Sequence, residues 1–254
     1  MINKSDLFFF LIYNKPFVYN SNITIYPVTM RDIMSFQIVS QSITVKKNST
    51  FRDKKIIKMN YLDFLFYSFN NKELESQYNI PELSYYLLYF VQLLKLCCKT
   101  DNIHFGNQAN QLYINNILIT PEIFDDIRRI IIIQNDIDFD IDEFINYDTE
   151  QRLLRAQKDI TKEESKSNIE DYIDSLIVAM NVTEERVMNM TVRKFWRYIK
   201  RYQLHEGYTI AKTGEYSGMV SFKQPIEHWM KSLEEDDKYK HLKTDENELT
   251  SKIG

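Results

Sequence analysis

The chain has 254 residues, of which 44% are hydrophobic and 14% aromatic, so it can form a packed core and is not globally disordered. Its formal net charge of −4 excludes an overall basic surface, and a polyanionic partner would therefore need a local basic patch. The chain has only five glycines, none of them in a G-x-G-x-x-G or P-loop motif, which argues against the common nucleotide-binding enzymes.

The segment 7–28 is predicted to be extended. It contains the apolar runs LFFFLIY and ITIYPV, and Pro16 together with the sequence NSN marks a turn between them. Asp6 directly precedes the first run, and no small-residue cleavage site follows it. We therefore expect a buried strand at this position rather than a signal peptide.

Helices are predicted to follow this segment. Thr29 can cap a helix over about 30–40. Four side chains at helical spacing form the expected apolar face of that helix: Met30, Ile33, Met34 and Ile38. After a polar loop (44–55), Asn60 can cap the helix YLDFLFYSF. An apolar helix over about 81–98 begins at its proline, and it is too short and too polar to span a membrane.

A hairpin and a strongly capped helix are predicted next. The strand signals NIHF and LYI flank the polar turn GNQANQ. Thr120, Pro121 and Glu122 form a helix-start signal, and the helix is predicted to end near Asn135. The alternating acids of NDIDFDIDEF resemble a calcium loop, but the glycine and the bidentate glutamate that such a loop requires are missing. We predict a solvated acidic edge there, without metal.

No residue pattern predicts catalysis. Four histidines lack metal-ligand spacing, namely His104, His205, His228 and His241. Cys97 and Cys98 are adjacent, so they form no disulfide framework and are consistent with a reducing cytoplasm. The chain has no G-x-S-x-G motif. We therefore expect no enzymatic activity, no cofactor and no bound metal.

These elements predict a mainly α-helical α+β fold. An N-terminal α+β lobe (1–147) would carry a small antiparallel sheet, including the hairpin 103–114, packed on helices 81–98 and 121–135. The other predicted parts are a polar helical linker (148–168), a C-terminal helical lobe (169–233) and a charged flexible tail (234–254).

The C-terminal lobe is predicted to consist of helices with one interruption. The predicted helices span 169–180, 184–190, 192–205 and 225–233. The stretch 207–224 contains three of the five glycines and is predicted to be β-like, because glycine weakens a helix interior.

The helix 192–205, which Thr191 can cap, has two contrasting faces. Its apolar face consists of Val192, Phe195, Trp196 and Ile199. Its basic face consists of Arg193, Arg197, Lys200 and Arg201. With the short helix before it, the unit resembles a helix-turn-helix, but the many nearby carboxylates oppose phosphate binding. We predict that the four basic residues bind a protein partner, and a nucleic-acid-binding module is the alternative.

The run EERVMNMTVRKFWRYIKRYQ (184–203) resembles the C-terminal part of tail assembly chaperones and related tail or baseplate assembly proteins of bacterial viruses. The runs TIYPVTMRDIMSF and ITPEIFDDIRRIIIIQN are similar to segments of phage tail and baseplate proteins. The resemblance implies a non-enzymatic protein of virion morphogenesis, located in the host bacterial cytoplasm or in the virion tail. The partners that it implies are the tape measure, the tail tube or the baseplate hub. A chaperone and a structural subunit both remain open, because both bury the same kinds of surface.

Overall fold

The computed structural model describes residues 4–139, 168–218, 221–222 and 224–233. These ranges contain many helices and two small antiparallel sheets, so the predicted mainly helical α+β fold is confirmed. The chain divides into two compact units, Met1–Phe195 and Trp196–Gly254. The four-part division predicted from the sequence stays a prediction, since its linker and its tail lie almost wholly outside the described residues.

The N-terminal segment forms a helix, α1 (Lys4–Tyr13), so the predicted buried strand is wrong. Leu7 and Leu11, four residues apart, are buried, and α1 packs against the helix that begins at Pro121. The error has a physical cause: a run that is apolar at nearly every position has neither the period of a strand nor that of a helix. Two short strands follow, β1 (Phe17–Val18) and β2 (Thr24–Ile25), and they pair antiparallel.

Seven further helices lie within the described range 33–135. They are α2 (Ile33–Val39), α3 (Lys47–Thr50), α4 (Lys54–Lys58), α5 (Tyr61–Asn70), α6 (Glu73–Tyr78), α7 (Tyr86–Cys98) and α8 (Pro121–Asn135). The predicted caps of α5 and α8 are confirmed, because the side chains of Asn60 and Thr120 accept hydrogen bonds from backbone amides three residues later. The apolar helix predicted over about 81–98 is α7, and it starts later than predicted because a 3-10 turn (Leu83–Tyr85) precedes it.

Two predictions for the segment 30–55 are wrong in part, although Met30 and Ile33 are buried as expected. Met34 and Ile38 are exposed, whereas Phe36 and Val39 are buried beside Ile33. A 3-10 turn over Met30–Asp32 has fewer residues per turn than an α-helix and so rotates α2 relative to a continuous helix. The predicted polar loop contains α3 and the start of α4, which Asp53 caps by accepting a hydrogen bond of 2.8 Å from the Lys55 amide.

Aromatic side chains form the centre of the core between α5, α7 and α8. Phe64, Phe90 and Phe124 are fully buried, and the Phe90 and Phe124 ring centroids lie 4.6 Å apart. Cys97 and Cys98 at the end of α7 are also buried, and burial raises the pKa of the Cys98 thiol to about 12. Both cysteines therefore pack as apolar side chains, since a protonated thiol is a poor nucleophile.

The predicted hairpin is confirmed, and a third strand extends it. Strands β3 (Ile103–Phe105), β4 (Leu112–Ile114) and β5 (Ile117–Leu118) form an antiparallel sheet in that order. Leu112 and Ile114 on its inner face are buried. The Phe105 ring lies 6.2 Å from that of Phe66 on α5, while β2 of the other sheet contacts α7 and α8.

The described residues after 168 form three helices: α9 (Ile169–Met180), α10 (Glu184–Met188) and α11 (Val192–Tyr216). The α11 helix continues to Tyr216 and is much longer than predicted. The prediction that 207–224 is β-like is therefore wrong for 207–216. Gly207 and Gly214 lie inside this helix. Each glycine costs about 1 kcal/mol in a helix interior, and a long helix tolerates this cost because its residues form cooperatively. An ion pair of 2.7 Å between Lys212 and Glu215 supports the last turns.

The predicted helix 225–233 does not form. The described residues 224–233 contain only a turn at 229–230. Arg201 Nη1 donates hydrogen bonds to the carbonyls of Trp229 and Lys231, the latter over 2.9 Å. Carbonyls engaged in this way by a side chain favour an irregular segment over a nine-residue helix, which is marginal in water.

Backbone pairing joins the start of α11 to the segment before α2. The Met30 amide donates to the Met190 carbonyl and the Val192 amide donates to the Val28 carbonyl, both over 2.9 Å. Thr29 and Thr191 form an antiparallel bridge between these two bonds. Residues 168–195 thus belong to the same compact unit as the N-terminal helices.

Candidate functional site

The four predicted partner-binding residues have different surroundings. Arg193 is half-buried, and its Nη1 donates a hydrogen bond of 3.4 Å to the Leu11 carbonyl. Arg201 is half-buried and donates to two backbone carbonyls of the segment 228–231. Arg197 is half-buried and Lys200 is exposed. The guanidinium groups of Arg193 and Arg201 thus bind the chain itself, and the predicted role of the four residues toward a partner stays a prediction.

The apolar face predicted for the same helix is buried in three positions out of four. Val192, Phe195 and Ile199 are buried, whereas Trp196 is partly exposed. Their spacing explains the difference. Positions i, i+3 and i+7 define the centre of the apolar stripe, and Trp196 lies at its edge.

Within the second unit, aromatic contacts hold the segment 228–231 along α11. The His205 and Trp229 rings are perpendicular with centroids 5.0 Å apart, and the Tyr208 and His228 centroids lie 5.1 Å apart. With the two bonds from Arg201, these contacts cover part of one side of α11. No sequence pattern predicts this docking, because contacts between a helix and an irregular segment follow no period.

An exposed apolar surface among the described residues of the first unit lies on α1. Four apolar side chains are each about half exposed: Phe8 at 58%, Phe9 at 54%, Ile12 at 45% and Tyr13 at 60%. We call these four residues the α1 face. The Phe9 and Tyr13 centroids lie 4.8 Å apart, and Lys15 Nζ lies 5.5 Å from the Phe9 centroid.

The α1 face can contribute binding energy but no chemistry. A helix that is apolar on all sides is usually buried on all sides, and here only the Leu7 and Leu11 side is covered. Contiguous exposed apolar side chains on a soluble domain mark interaction sites. Sequence reasoning missed this face because the run was predicted to be a strand. The i, i+4 pairs Phe8–Ile12 and Phe9–Tyr13 were the available signal.

Within the described ranges, no group of three histidine, cysteine, aspartate or glutamate side chains is arranged to hold a metal ion. The same part of the chain has no helix that is both long and apolar enough to cross a membrane. The acidic run NDIDFDIDEF lies outside the described residues from position 140 onward, so its predicted solvated edge stays a prediction.

Comparison with known proteins adds a second observation about the C-terminal part. Residues 160–234 match a phage-derived family described as the YomV second domain. This part of the chain is similar to a phage domain. The matched range includes α9, α10, α11 and the segment 228–231, and it amounts to less than a third of the chain. No curated protein and no solved structure matches the sequence.

Proposed function

We propose that the protein is a non-enzymatic phage assembly protein that binds unassembled tail components through the α1 face. The observation that carries this proposal is the half-exposed apolar side of α1, formed by Phe8, Phe9, Ile12 and Tyr13. The similarity of residues 160–234 to a phage-derived family supports the viral context. The proposed location is the host bacterial cytoplasm, or the virion tail if the protein stays in the particle.

The α1 face is suited to reversible binding. Full burial of a large apolar side chain contributes about 1.5–3 kcal/mol, so covering a half-exposed one contributes on the order of 1 kcal/mol. Four such side chains provide a useful but limited driving force. Permanent subunit interfaces bury roughly 2,000 Å² or more, which is far beyond what four side chains supply. This favours an assembly chaperone over a fixed virion subunit.

The proposed partners are the tape measure, the tail tube and the baseplate hub. Each would have to present an apolar surface before assembly and bury that surface in the finished tail. Binding of the α1 face would cover the apolar surface until assembly and would then be displaced. Nucleic acid is not a proposed partner, since Arg193 and Arg201 already donate hydrogen bonds to backbone carbonyls of the chain.

Co-expression tests the proposal. The protein would be produced together with each of the three candidate partners from the same phage, and complexes would be isolated through a tag on the partner. We expect the double variant Phe8→Ser/Tyr13→Ser to lose at least tenfold in affinity, corresponding to about 1.4 kcal/mol. Val178→Ser is the matched control, because Val178 is an exposed apolar residue on a different helix, α9. Unchanged binding of the double variant to every partner would refute the proposal.

Mass spectrometry of purified virions separates the two roles. A chaperone should be absent from mature particles, whereas a tail or baseplate subunit should be present in a fixed copy number. Detection of the protein at constant stoichiometry would replace the chaperone role with the structural one.

A further inference from the structure

The outer face of the β3–β4–β5 sheet carries one row of three side chains, one from each strand. The register places His104 opposite Tyr113, and Tyr113 opposite Leu118. Residues directly opposite each other in a sheet point to the same face. The His104 and Tyr113 rings stack with centroids 5.3 Å apart and planes 4° apart. His104 and Leu118 are exposed, so this row forms an open platform.

A crevice of 410 Å³ adjoins the platform at the hairpin turn. Its lining includes the His104 and Tyr113 rings and the carboxamide side chains of Asn107, Gln108 and Gln111. Among the described residues that line it there is no aspartate, glutamate, lysine or arginine. The crevice therefore offers hydrogen-bonding groups and ring surfaces without a fixed charge.

Gly106 allows the walls of this crevice to close. A Cβ atom at this position would lie 2.4 Å from Gln111 Oε1 and 2.8 Å from Tyr113 Cε2, so only glycine fits beneath these two side chains. The Gly106 amide donates a hydrogen bond of 2.9 Å to the Gln111 carbonyl, and Gln111 Nε2 donates one of 3.1 Å to Gln108 Oε1. The carboxamides of Gln108 and Gln111 thus orient each other.

We propose that this crevice and platform bind a neutral saccharide. A carboxamide presents donors and an acceptor together, and a sugar hydroxyl likewise both donates and accepts, so several such groups complement a sugar ring. The aromatic side chains of His104, Phe105 and Tyr113 in the lining offer ring surface to the C–H groups of a pyranose. The lack of a fixed charge disfavours phosphorylated, sulfated and metal-bound ligands. The volume lies at the lower end of small-molecule sites, roughly 300–1,000 Å³, which suits one or two sugar rings.

A second crevice adjoins the same turn. Its volume is 340 Å³, and it is lined by Lys55, Met59, Asp63, Tyr67, Asn70 and Asn110, so it carries an ammonium and a carboxylate group. Asn110 belongs to the same turn as Gln108 and Gln111. Lys55 Nζ lies 5.0 Å from the centroid of the Tyr67 ring. The turn therefore contributes carboxamides to two crevices, and the uncharged one beside His104 is the proposed binding site for the sugar ring.

Amide NMR titrations of the full chain test this inference. The probes are three neutral trisaccharides, built from glucose, galactose and N-acetylglucosamine, each added to about 10 mM. We expect at least one to bind with a Kd below about 1 mM and to shift the amides of 104–113. His104→Ala and Gln111→Ala should each weaken binding at least fivefold. Gln77→Ala, which removes an exposed carboxamide on α6, is the matched control.

Three results would overturn the inference. The first is that none of the neutral probes binds. The second is that a probe binds equally well to wild type, His104→Ala and Gln111→Ala. The third is that a sulfated trisaccharide or a neutral Gly-Ser peptide binds at least as tightly at the same amides, which would assign the crevice to anions or to peptide.

Discussion

The side chain of Asn135 accepts a hydrogen bond of 2.8 Å from the amide of Val28, although the two residues are far apart in the sequence. Asn135 is the last residue of α8 and is buried. Its Nδ2 donates a hydrogen bond of 2.9 Å to the Ile131 carbonyl. The Val28 carbonyl in turn accepts from Val192. One amide side chain thus fixes the backbone segment to which the start of α11 is paired.

Asn135→Leu should lower the free energy of unfolding by about 2–3 kcal/mol, because it leaves the buried Val28 amide without an acceptor. Asn70→Leu is the matched control. Asn70 is also the last residue of its helix and also donates to the carbonyl four residues earlier, but it is exposed. The control should change the free energy by no more than about 0.5–1 kcal/mol. Urea unfolding measures both values, and equal losses would refute the role of Asn135.

The orientation of α1 can be tested with two residues from the same run. Leu11→Ala should cost about 2–4 kcal/mol because Leu11 is buried, whereas Phe9→Ser should cost less than about 1 kcal/mol because Phe9 is half exposed. In a strand, residues 9 and 11 would lie on the same face and both changes would be costly. Urea unfolding of the two variants therefore separates the helix from the strand.

The apolar stripe of α11 predicts a large difference between neighbours. Phe195→Ala removes a fully buried ring and should cost about 3–5 kcal/mol. Trp196→Ala should cost only about 1–2 kcal/mol, because the indole is partly exposed. Thermal or urea unfolding would show the ranking. A Trp196 variant as unstable as the Phe195 variant would place the indole in the core.

Arg201→Ala should release the segment 228–231 from α11. The change removes both hydrogen bonds to the carbonyls of Trp229 and Lys231, while the first unit keeps its stability. Limited chymotrypsin digestion should cleave after Trp229 at least fivefold faster than in the wild type, because cleavage follows the population of the open segment. Arg197→Ala is the control for loss of a nearby charge. Equal cleavage of the two variants would contradict the prediction.

Duplex DNA titrations at several salt concentrations test the nucleic-acid alternative. We expect weak binding whose salt dependence is the same in the wild type and in Arg197→Glu/Lys200→Glu. If Arg197 and Lys200 did contact phosphates, each contact would contribute roughly 0.9 to the slope of log affinity against log salt concentration. Tight binding with a steep slope that the double variant abolishes would reinstate a nucleic-acid-binding helix.

The features that the sequence predicted well depend on a few neighbouring residues. Asn60 and Thr120 cap helices because their side-chain oxygens reach amides three residues later, which needs no tertiary structure. The hairpin likewise follows from local alternation and turn residues. The α1 face was not predictable, since which side of an all-apolar run is covered depends on α8. The docking of 228–231 depends on Arg201, almost thirty residues earlier.

The pairing of Val28 with Val192 also determines when the fold can be completed during synthesis. The two residues are separated by about 160 positions, and at roughly 5–20 residues per second the ribosome delivers the second about 8–30 s after the first. During that interval the Val28 carbonyl and the Met30 amide lack their partners from 190–192, and the synthesis of α8 is completed before the interval ends. The helices up to α8 can therefore pack first, and the later arrival of 190–192 adds contacts of high sequence separation. A nascent chain halted before residue 168 would display the backbone of 28–30 as an open edge.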